Sequence, residues 1–175
     1  MATIDLIVLG MIKQQPQSAY ELQRNVEYRN ISRWVRISTP SIYKKVVQLE
    51  HKGYVCSEIV RTGKLSEKAV YRITDAGEKY FLDLMEQTAG ESVNLFLDFN
   101  AVIMSLSLVS EQKQKELLDV IERGILELKD TAGGKLSERE HVPLTGKTIL
   151  EQQIGLAACL QEWVADFKDS YVKTL

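Results

Sequence analysis

Residues 38–49, Ser-Thr-Pro-Ser-Ile-Tyr-Lys-Lys-Val-Val-Gln-Leu, form the stretch from which the fold of this chain can be predicted. Thr39 suits an N-cap, and Pro40 suits the first helical position, where its missing N–H has no partner to lose. Gly53 can adopt the left-handed backbone conformation that commonly ends a helix. At 100° per residue, one side of this helix is apolar and the opposite side is polar. The apolar side carries Ile42, Val46 and Leu49, and the polar side carries Ser41, Lys44, Gln48 and His51.

The polar side of this helix carries side chains that can contact DNA. Lys and Gln side chains can hydrogen-bond to base edges in the major groove, and a Ser hydroxyl can act there as donor or acceptor. We therefore predict DNA contacts from Ser41, Lys44, Lys45 and Gln48, with a solvated helix face as the alternative. Tyr43 lies at the edge of the apolar side, where its hydroxyl can reach a phosphate, and core packing is the alternative for this residue.

Charge is distributed unevenly along the 175 residues, although the net charge is only −2. Residues 24–72 hold eleven basic and four acidic residues, a net charge of +7. Residues 90–175 hold nine basic and fourteen acidic residues, a net charge of −5. This asymmetry is typical of a polyanion-binding head joined to an acidic body, and scattered solvated charge is the alternative.

Two further helices are predicted before the basic one. Residues 3–13 are apolar almost all round, which predicts a short helix buried between other elements. Ser18 and Glu21 form a capping box that opens a second helix, which runs to about Tyr28. Three helices in this short segment indicate a helix-turn-helix arrangement.

A change from helical to two-residue periodicity follows Gly53. Residues 54–61 and 68–73 are rich in β-branched and aromatic residues, and the polar residues between them predict a β-hairpin, or wing. We predict that Arg61, Lys64 and Lys68 contact the minor groove or the DNA backbone, and a solubilising hairpin is the alternative. After the hairpin, Thr74 and Asp75 cap a helix that runs to about Thr88.

Beyond Gly90 the pattern is helical only. The chain is therefore predicted to be mainly α with a small β-hairpin: a winged helix-turn-helix DNA-binding domain at 1–89 and an all-helical dimerisation domain at 90–175. In the second domain, helices are predicted at 93–108, from Ser110 to about 131, and from 146 or 148 to about 172, with Gly133-Gly134 and a loop at 135–143 between the last two.

The last predicted helix has two apolar stripes side by side. Positions 150, 157, 160, 164, 167 and 171 follow a near-heptad, and Ile149, Leu156 and Trp163 form the second stripe. An apolar face of this width can pack on two surfaces at once. We assign the second stripe to the chain's own tail and the first to a second subunit, so the predicted dimer contacts are Leu160, Val164, Phe167 and Tyr171.

Few residues indicate a disulfide, a metal site or a catalytic centre. Cys56 and Cys159 lack CxxC spacing, so they predict neither a disulfide framework nor a thiolate metal site and are interpreted as apolar fillers. His51 and His141 have neither HxxxH spacing nor a nearby carboxylate constellation. We predict no enzymatic activity, metal or cofactor. Four aromatic residues, Trp34, Phe96, Phe99 and Trp163, are predicted to line a small-molecule pocket, with a purely core role as the alternative.

No apolar run reaches the length of about 20 residues that a membrane helix requires, and the first residues lack a leader pattern. The chain is therefore expected to be cytoplasmic, and nucleoid-associated when it is bound to DNA.

The order and spacing of several motifs resemble the PadR family of bacterial transcriptional regulators. The motifs are Ala19-Tyr20-Glu21-Leu22, Ile42-Tyr43-x-x-Val46-x-x-Leu49-x-x-x-Gly53-Tyr54-Val55, and Tyr71-Arg72-Ile73-Thr74-x-x-Gly77. The acidic helical tail resembles the longer-tailed branch of that family.

The resemblance implies a homodimeric winged helix-turn-helix protein that binds double-stranded DNA, usually as a repressor and sometimes released by a small aromatic molecule. Tyr43 then matches the family's tyrosine in the DNA-reading helix, and Lys68 and Tyr71 match the basic and aromatic residues of the second wing strand. We expect a sequence-specific regulator that binds an inverted repeat. The alternative is a winged-helix module that binds an acidic protein without DNA specificity.

Overall fold

The computed structural model describes residues 2–35, 37–62, 65–138 and 142–172 of the chain. It is mainly helical with one two-stranded antiparallel hairpin, as predicted. Contacts divide the chain into two compact units, residues 1–93 and 94–175. In the part of the chain that the structure describes, no helix is both long enough and apolar enough to cross a membrane.

Three helices form the core of the first unit: α1 (Ala2–Gln14), α2 (Ala19–Tyr28) and α3 (Ser41–His51). The predicted apolar side of α3 is confirmed, because Ile42, Val46 and Leu49 are fully buried. They belong to one cluster with Val8 and Leu9 of α1, which are also fully buried. The burial of these side chains is the main force that holds the three helices together.

The predicted capping box at the start of α2 is confirmed. The Glu21 backbone N–H donates to Ser18 Oγ at 3.3 Å, and the Ser18 backbone N–H donates to Glu21 Oε2 at 2.8 Å. Because both groups would otherwise lack partners, the two contacts define where α2 begins.

The start of α3 differs from the prediction, whereas its end does not. Pro40 is the N-cap and makes no side-chain cap hydrogen bond, so the prediction that Thr39 caps the helix is wrong. The Ser41 hydroxyl donates to the Ser38 carbonyl instead, which braces the turn before the helix. Gly53 has a φ of 77°, which confirms the predicted left-handed end.

The wing consists of β1 (Val55–Thr62) and β2 (Leu65–Ile73), with Val55 opposite Ile73. β2 begins three residues earlier than predicted, because Leu65 pairs with Thr62 beyond an irregularity in the ladder. The following helix, α4 (Asp75–Ala89), is capped as predicted by the Thr74 hydroxyl, which accepts from the Gly77 backbone N–H at 3.0 Å.

The second unit contains α5 (Asn100–Met104), α6 (Glu111–Glu138) and α7 (Leu144–Val172). Antiparallel packing of α6 on α7 is marked by Lys168 Nζ, which lies 2.7 Å from Glu122 Oε2, and by Lys129 Nζ, which donates to Gln161 Oε1 at 3.0 Å. The core between the helices includes Leu118, Ile125, Ala157 and Val164.

Two predictions for this unit are wrong. The predicted helix at 93–108 is reduced to α5 and the 3₁₀ turn Leu106–Leu108, and the exposed Val93 and Phe96 contribute no burial that would stabilise a longer helix. Gly133-Gly134 do not end α6, which continues to Glu138. Each glycine costs a helix only about 1 kcal/mol, and Ala132 just before them is buried, so burial on this part of α6 can outweigh that cost.

The cysteines also differ from the prediction. Cys56 on β1 and Cys159 on α7 are both exposed, so neither is an apolar filler. A cysteine can occupy an exposed position on a strand or helix, so its residue type alone does not predict that it is buried.

Candidate nucleic-acid interface

The outer side of α3 presents polar side chains above a fully buried apolar side. Lys44 and Gln48 are exposed and Ser41 is half-buried. Tyr43 is 62% exposed, which favours an outward position over the core alternative. The helix thus holds Ser41, Tyr43, Lys44 and Gln48 where a large partner can reach them.

A cleft of about 400 Å³ lies between the start of α1 and the outer side of α3. Ile4 and Ile37 give it apolar walls, and Thr3 and Ser38 add hydroxyl groups. Sequence reasoning missed these four residues, because nothing local to them indicates that α1 begins beside α3. The remaining residues that line the cleft are Ser41, Lys44, Lys45 and Gln48.

Lys45 does not belong to this exposed set. Its Nζ lies 2.8 Å from Asp5 Oδ1 of α1, and the Lys45 and Asp5 side chains are only 14% and 7% exposed. The Tyr80 hydroxyl also donates to the Asp5 carboxylate, at 3.3 Å from Oδ2. The Lys45 ammonium therefore neutralises a buried carboxylate within the fold, and a Lys45 contact with DNA stays a prediction that requires this ion pair to open.

The wing carries basic residues that are already paired. Arg61 donates through Nε to Glu67 Oε1 at 2.8 Å, and its Nη2 lies 2.7 Å from the same oxygen. Both side chains are largely exposed, so a phosphate could compete for the guanidinium. Lys64, the other predicted contact at the tip, lies outside the described residues.

Lys68 connects the wing to α2. Its Nζ lies 2.8 Å from Glu21 Oε1, in the same carboxylate that completes the capping box. The Lys68 hydrogen bond and the Ser18 backbone and hydroxyl groups lower the pKa of Glu21 to about 2. One carboxylate thus holds both the start of α2 and the second wing strand.

We predict that Glu21→Gln destabilises the protein at pH 7 and that the difference from wild type shrinks in acid. Because the pKa of Glu21 falls from its ordinary value of 4.5 to about 2 in the folded protein, its stabilising effect is present above pH 4.5. That effect is lost as the pH falls through about 2. Urea unfolding at pH 7 and at successively lower pH measures it, with Glu27→Gln of the same helix as the control. A pH-independent difference would contradict the assignment.

Tyr71 lies in the core rather than on the DNA-facing side of the wing. Its side chain is 6% exposed, and burial raises the pKa of its phenol. The Tyr71 backbone N–H donates to the Gln17 carbonyl at 3.0 Å, which attaches β2 to the segment before α2. Alternation along β2 turns Tyr71 inward, and its contact with DNA stays a prediction.

The stripe of α7 that we assigned to a second subunit faces the chain's own α6. Val164 is fully buried, and Leu160, Phe167 and Tyr171 pack against the same cluster. Val164 is thus shielded within its own subunit, and a dimer contact by the partly buried Leu160, Phe167 and Tyr171 stays a prediction. Leu156 and Trp163, which were assigned to the chain's own tail, are 38% and 36% exposed.

Of the four residues predicted to line the small-molecule pocket, two are in contact within the second unit. Phe99 and Trp163 stack with ring centroids 5.7 Å apart, and Trp163 stacks on Phe167 at 5.8 Å. Phe96 is 77% exposed, and Trp34 belongs to the first unit. Only Phe99 and Trp163 are therefore brought together.

Comparison with known proteins is consistent with this geometry. Residues 8–83 match the model of the transcriptional regulator PadR-like family. A comparison with curated protein sequences gave no match.

Solved structures share the fold over nearly the whole chain. Bacillus subtilis PadR in complex with operator DNA has 15% sequence identity and a TM-score of 0.81, over 94% of this chain and 97% of that one. The PadR-like regulator BC1756 from Bacillus cereus has 21% identity and a TM-score of 0.78, over 98% and 99% of the two chains. Bacillus subtilis PadR in complex with p-coumaric acid has 14% identity and a TM-score of 0.75, over 94% and 92%.

These structures have the same architecture, a winged-helix domain followed by a helical part. Their low identities mean that the likeness concerns the fold. The family whose model matches residues 8–83 is one of transcriptional regulators. Residues 8–83 thus match the PadR-like family of transcriptional regulators, and the whole chain has the fold of the PadR structures.

Proposed function

We propose that this regulator binds DNA sequence-specifically as a homodimer and represses transcription by occluding a promoter. The observation that carries the proposal is the outer side of α3, where exposed Lys44 and Gln48 stand above a fully buried apolar side. A helix of this kind can enter the major groove while its apolar side stays in the core. The Bacillus subtilis PadR structure in complex with operator DNA supports the proposal by similarity of fold.

In this proposal, α3 reads base edges and neighbouring groups hold the DNA backbone. Lys44 and Gln48 supply the donors and acceptors that distinguish base pairs, and Ser41 and Tyr43 contact bases or phosphates. Arg61 and Lys68 contact phosphates only by exchanging their carboxylate partners, Glu67 and Glu21. Backbone contacts of this type strengthen binding to all sequences equally.

A homodimer places two α3 helices on one face of the duplex. A two-fold dimer reads an inverted repeat, with half-sites separated by about 10 base pairs or a multiple of that spacing. Linking two heads also raises the effective concentration of the second head once the first has bound. Bound across a promoter, such a dimer blocks access to the promoter.

The alternative is a winged-helix module that binds an acidic protein. Both functions use the same exposed basic residues, but only a DNA-reading protein discriminates between sequences. Selection of bound sequences from random DNA, followed by affinity measurements at several salt concentrations, separates them. A common enriched inverted repeat supports the proposal, and salt-dependent binding without enrichment supports the alternative.

We predict that Lys44→Ala combined with Gln48→Ala removes most of the sequence preference while the protein stays folded. Each good base contact contributes about 1–3 kcal/mol of discrimination, and neither side chain belongs to the core. The ratio of affinities for the selected operator and for unrelated DNA measures the effect. The control is Lys79→Ala, which removes an exposed lysine from α4 and should preserve the ratio. Unchanged preference in a folded double variant would exclude α3 as the reading element.

Release by a small aromatic molecule stays a prediction. The Bacillus subtilis PadR structure in complex with p-coumaric acid shows the same fold with such a compound. In this chain, the stacked Phe99 and Trp163 are the residues of the predicted pocket that could pack beside an aromatic ring.

A further inference from the structure

The cleft between α1 and α3 has the size and the position of a separate small-molecule site. Its volume of about 400 Å³ lies within the range of ligand pockets in proteins, about 300–1,000 Å³. The described residues that line it come from the first turn of α1, the segment just before α3 and the outer side of α3. None of them belongs to the second unit, so this cleft is distinct from the predicted pocket of Phe99 and Trp163.

The charges around the cleft favour an anionic ligand. Of the described residues that line it, none is acidic and two are lysines. Lys45 is neutralised by Asp5, whose Oδ1 lies 2.8 Å from the lysine Nζ. Lys44 is exposed, and no carboxylate of the described part of the chain pairs with it. The Lys44 ammonium is therefore the charge that a ligand can neutralise.

The walls of the cleft favour an aliphatic group on the same ligand. Ile4 of α1 and Ile37 before α3 are half-buried and pack against the core of the first unit. The surface that they leave in the cleft is branched and aliphatic, and no aromatic side chain is among the described residues that line it. An alkyl chain that covers these walls removes apolar surface of both partners from water.

Contacts within the chain hold the cleft in shape. The Ser41 backbone N–H donates to the Ser38 carbonyl at 3.0 Å, and the Ser41 hydroxyl donates to the same oxygen. On the other side, the ion pair of Lys45 with Asp5 joins α3 to α1. Because the walls are already in place, a ligand does not have to order them, which favours binding.

We propose that this cleft binds a free aliphatic carboxylate. The alkyl chain lies against Ile4 and Ile37, and the carboxylate pairs with the Lys44 ammonium at the cleft. The side-chain amide of Gln48, which also lines the cleft, supplies a further donor for the carboxylate oxygens.

A ligand in this position competes directly with DNA, a consequence that rests on the proposed function. Lys44 and Gln48 line the cleft and are also the residues proposed to read base edges. A carboxylate bound there neutralises the Lys44 charge and covers part of the outer side of α3. Ligand and operator therefore exclude each other, without any change transmitted from the second unit.

Calorimetric titration of the DNA-free full chain with octanoate tests the site. Butanoate has the same head and four fewer methylenes, and octylammonium has an alkyl chain of the same length with the opposite charge. A fully buried methylene raises affinity about fourfold and a half-buried one about twofold, so octanoate should bind about 15-fold more tightly than butanoate. Octylammonium should bind at least about tenfold more weakly than octanoate, because Lys44 repels it. Equal affinities for octanoate and octylammonium would overturn the ion pair.

Substitution of Lys44 tests the same contact from the side of the protein. Lys44→Met removes the ammonium at an exposed position, so the variant should fold and should bind octanoate about tenfold more weakly. Lys44→Arg should restore most of the affinity. The matched control is Lys79→Met, which removes an exposed lysine of α4 and should bind octanoate like the wild type. Wild-type affinity in a folded Lys44→Met variant, checked by circular dichroism, would overturn the proposal.

Backbone amide chemical shifts locate the bound octanoate. We expect the largest changes at Ile4, Ile37 and Lys44, which lie around the cleft. Changes confined to the surroundings of Phe99 and Trp163 would place the ligand in the second unit and overturn the assignment to the cleft.

Competition with the selected operator separates this inference from the proposed function. At ten times its dissociation constant, octanoate should raise the apparent Kd for the operator about tenfold or more. Butanoate at the same concentration, which supplies the same ionic strength, should have a much smaller effect. Unchanged operator affinity with octanoate bound in the cleft would overturn the competition. Failure to select any operator, with octanoate still bound in the cleft, would overturn the proposed function and leave the carboxylate site supported.

Discussion

Gly77→Ala is expected to destabilise the winged-helix unit by more than about 3 kcal/mol, the largest loss that we predict for a single methyl group. A Cβ at residue 77 would lie 1.9 Å from the Tyr54 carbonyl oxygen and 2.9 Å from Ile73 Cγ1. The first distance is far below any van der Waals contact, and its partner is backbone rather than a flexible side chain. Either α4 or the start of β1 must therefore shift.

Neither segment can shift without breaking other contacts. The Tyr54 carbonyl accepts from the Thr74 backbone N–H at 3.1 Å. The Thr74 hydroxyl donates to the Gly53 carbonyl at 2.7 Å and accepts from the Gly77 N–H. This junction joins the end of α3, the wing and the start of α4, so a displacement there disturbs the orientation of the proposed reading helix.

Urea unfolding followed by Trp34 fluorescence in a Trp163→Phe background measures stability of the first unit, because the chain has two tryptophans, one in each unit. The matched control is Gly90→Ala at the other end of α4, where a Cβ meets nothing closer than 3.6 Å. That control should change stability by less than about 1 kcal/mol. Equal unfolding midpoints for Gly77→Ala and wild type would contradict the close approach.

Lys45→Met is expected to destabilise the same unit by about 3–5 kcal/mol, because it leaves the buried Asp5 carboxylate without its cation. The two groups are 2.8 Å apart, and both side chains are largely shielded from water. Only the Tyr80 hydroxyl, 3.3 Å from Asp5 Oδ2, would remain as a partner. A reduced DNA affinity in this variant would then follow from lost folding rather than from a lost contact.

The double variant Asp5→Asn/Lys45→Met separates these explanations. It removes both charges and keeps an acceptor for Tyr80, so most of the lost stability should return, since a neutral replacement of a buried pair is often tolerated. Urea midpoints of the wild type, the single variant and the double variant give the comparison. Full stability of Lys45→Met together with weak DNA binding would mean that Lys45 contacts DNA after all.

The last helix, α7, illustrates why a dimer contact could not be assigned from periodicity. Both apolar stripes of α7 have helical spacing, and either could face α6. The choice depended on which side chains fit α6, and only the structure shows that Ala157 and Val164 are the fully buried ones. The same limit applies to Gly133-Gly134, where packing of α6 outweighs a local preference against helix.

The sequence by itself determined the features that depend on neighbouring residues. Examples are the capping box of Ser18 and Glu21, the left-handed Gly53, the Thr74 cap and the two sides of α3. Hydrogen bonds and side-chain directions over one or two helical turns decide these features, and both are encoded within a few residues.

Only the tertiary structure decided which charges and apolar stripes are free to meet a partner. Asp5 and Lys45 are forty residues apart in the chain, and Glu21 and Lys68 are forty-seven apart, yet each pair is in contact. Whether a lysine reaches solvent or a carboxylate depends on how helices and strands distant in sequence pack. Such packing minimises exposed apolar surface over the whole unit, so no local pattern specifies it.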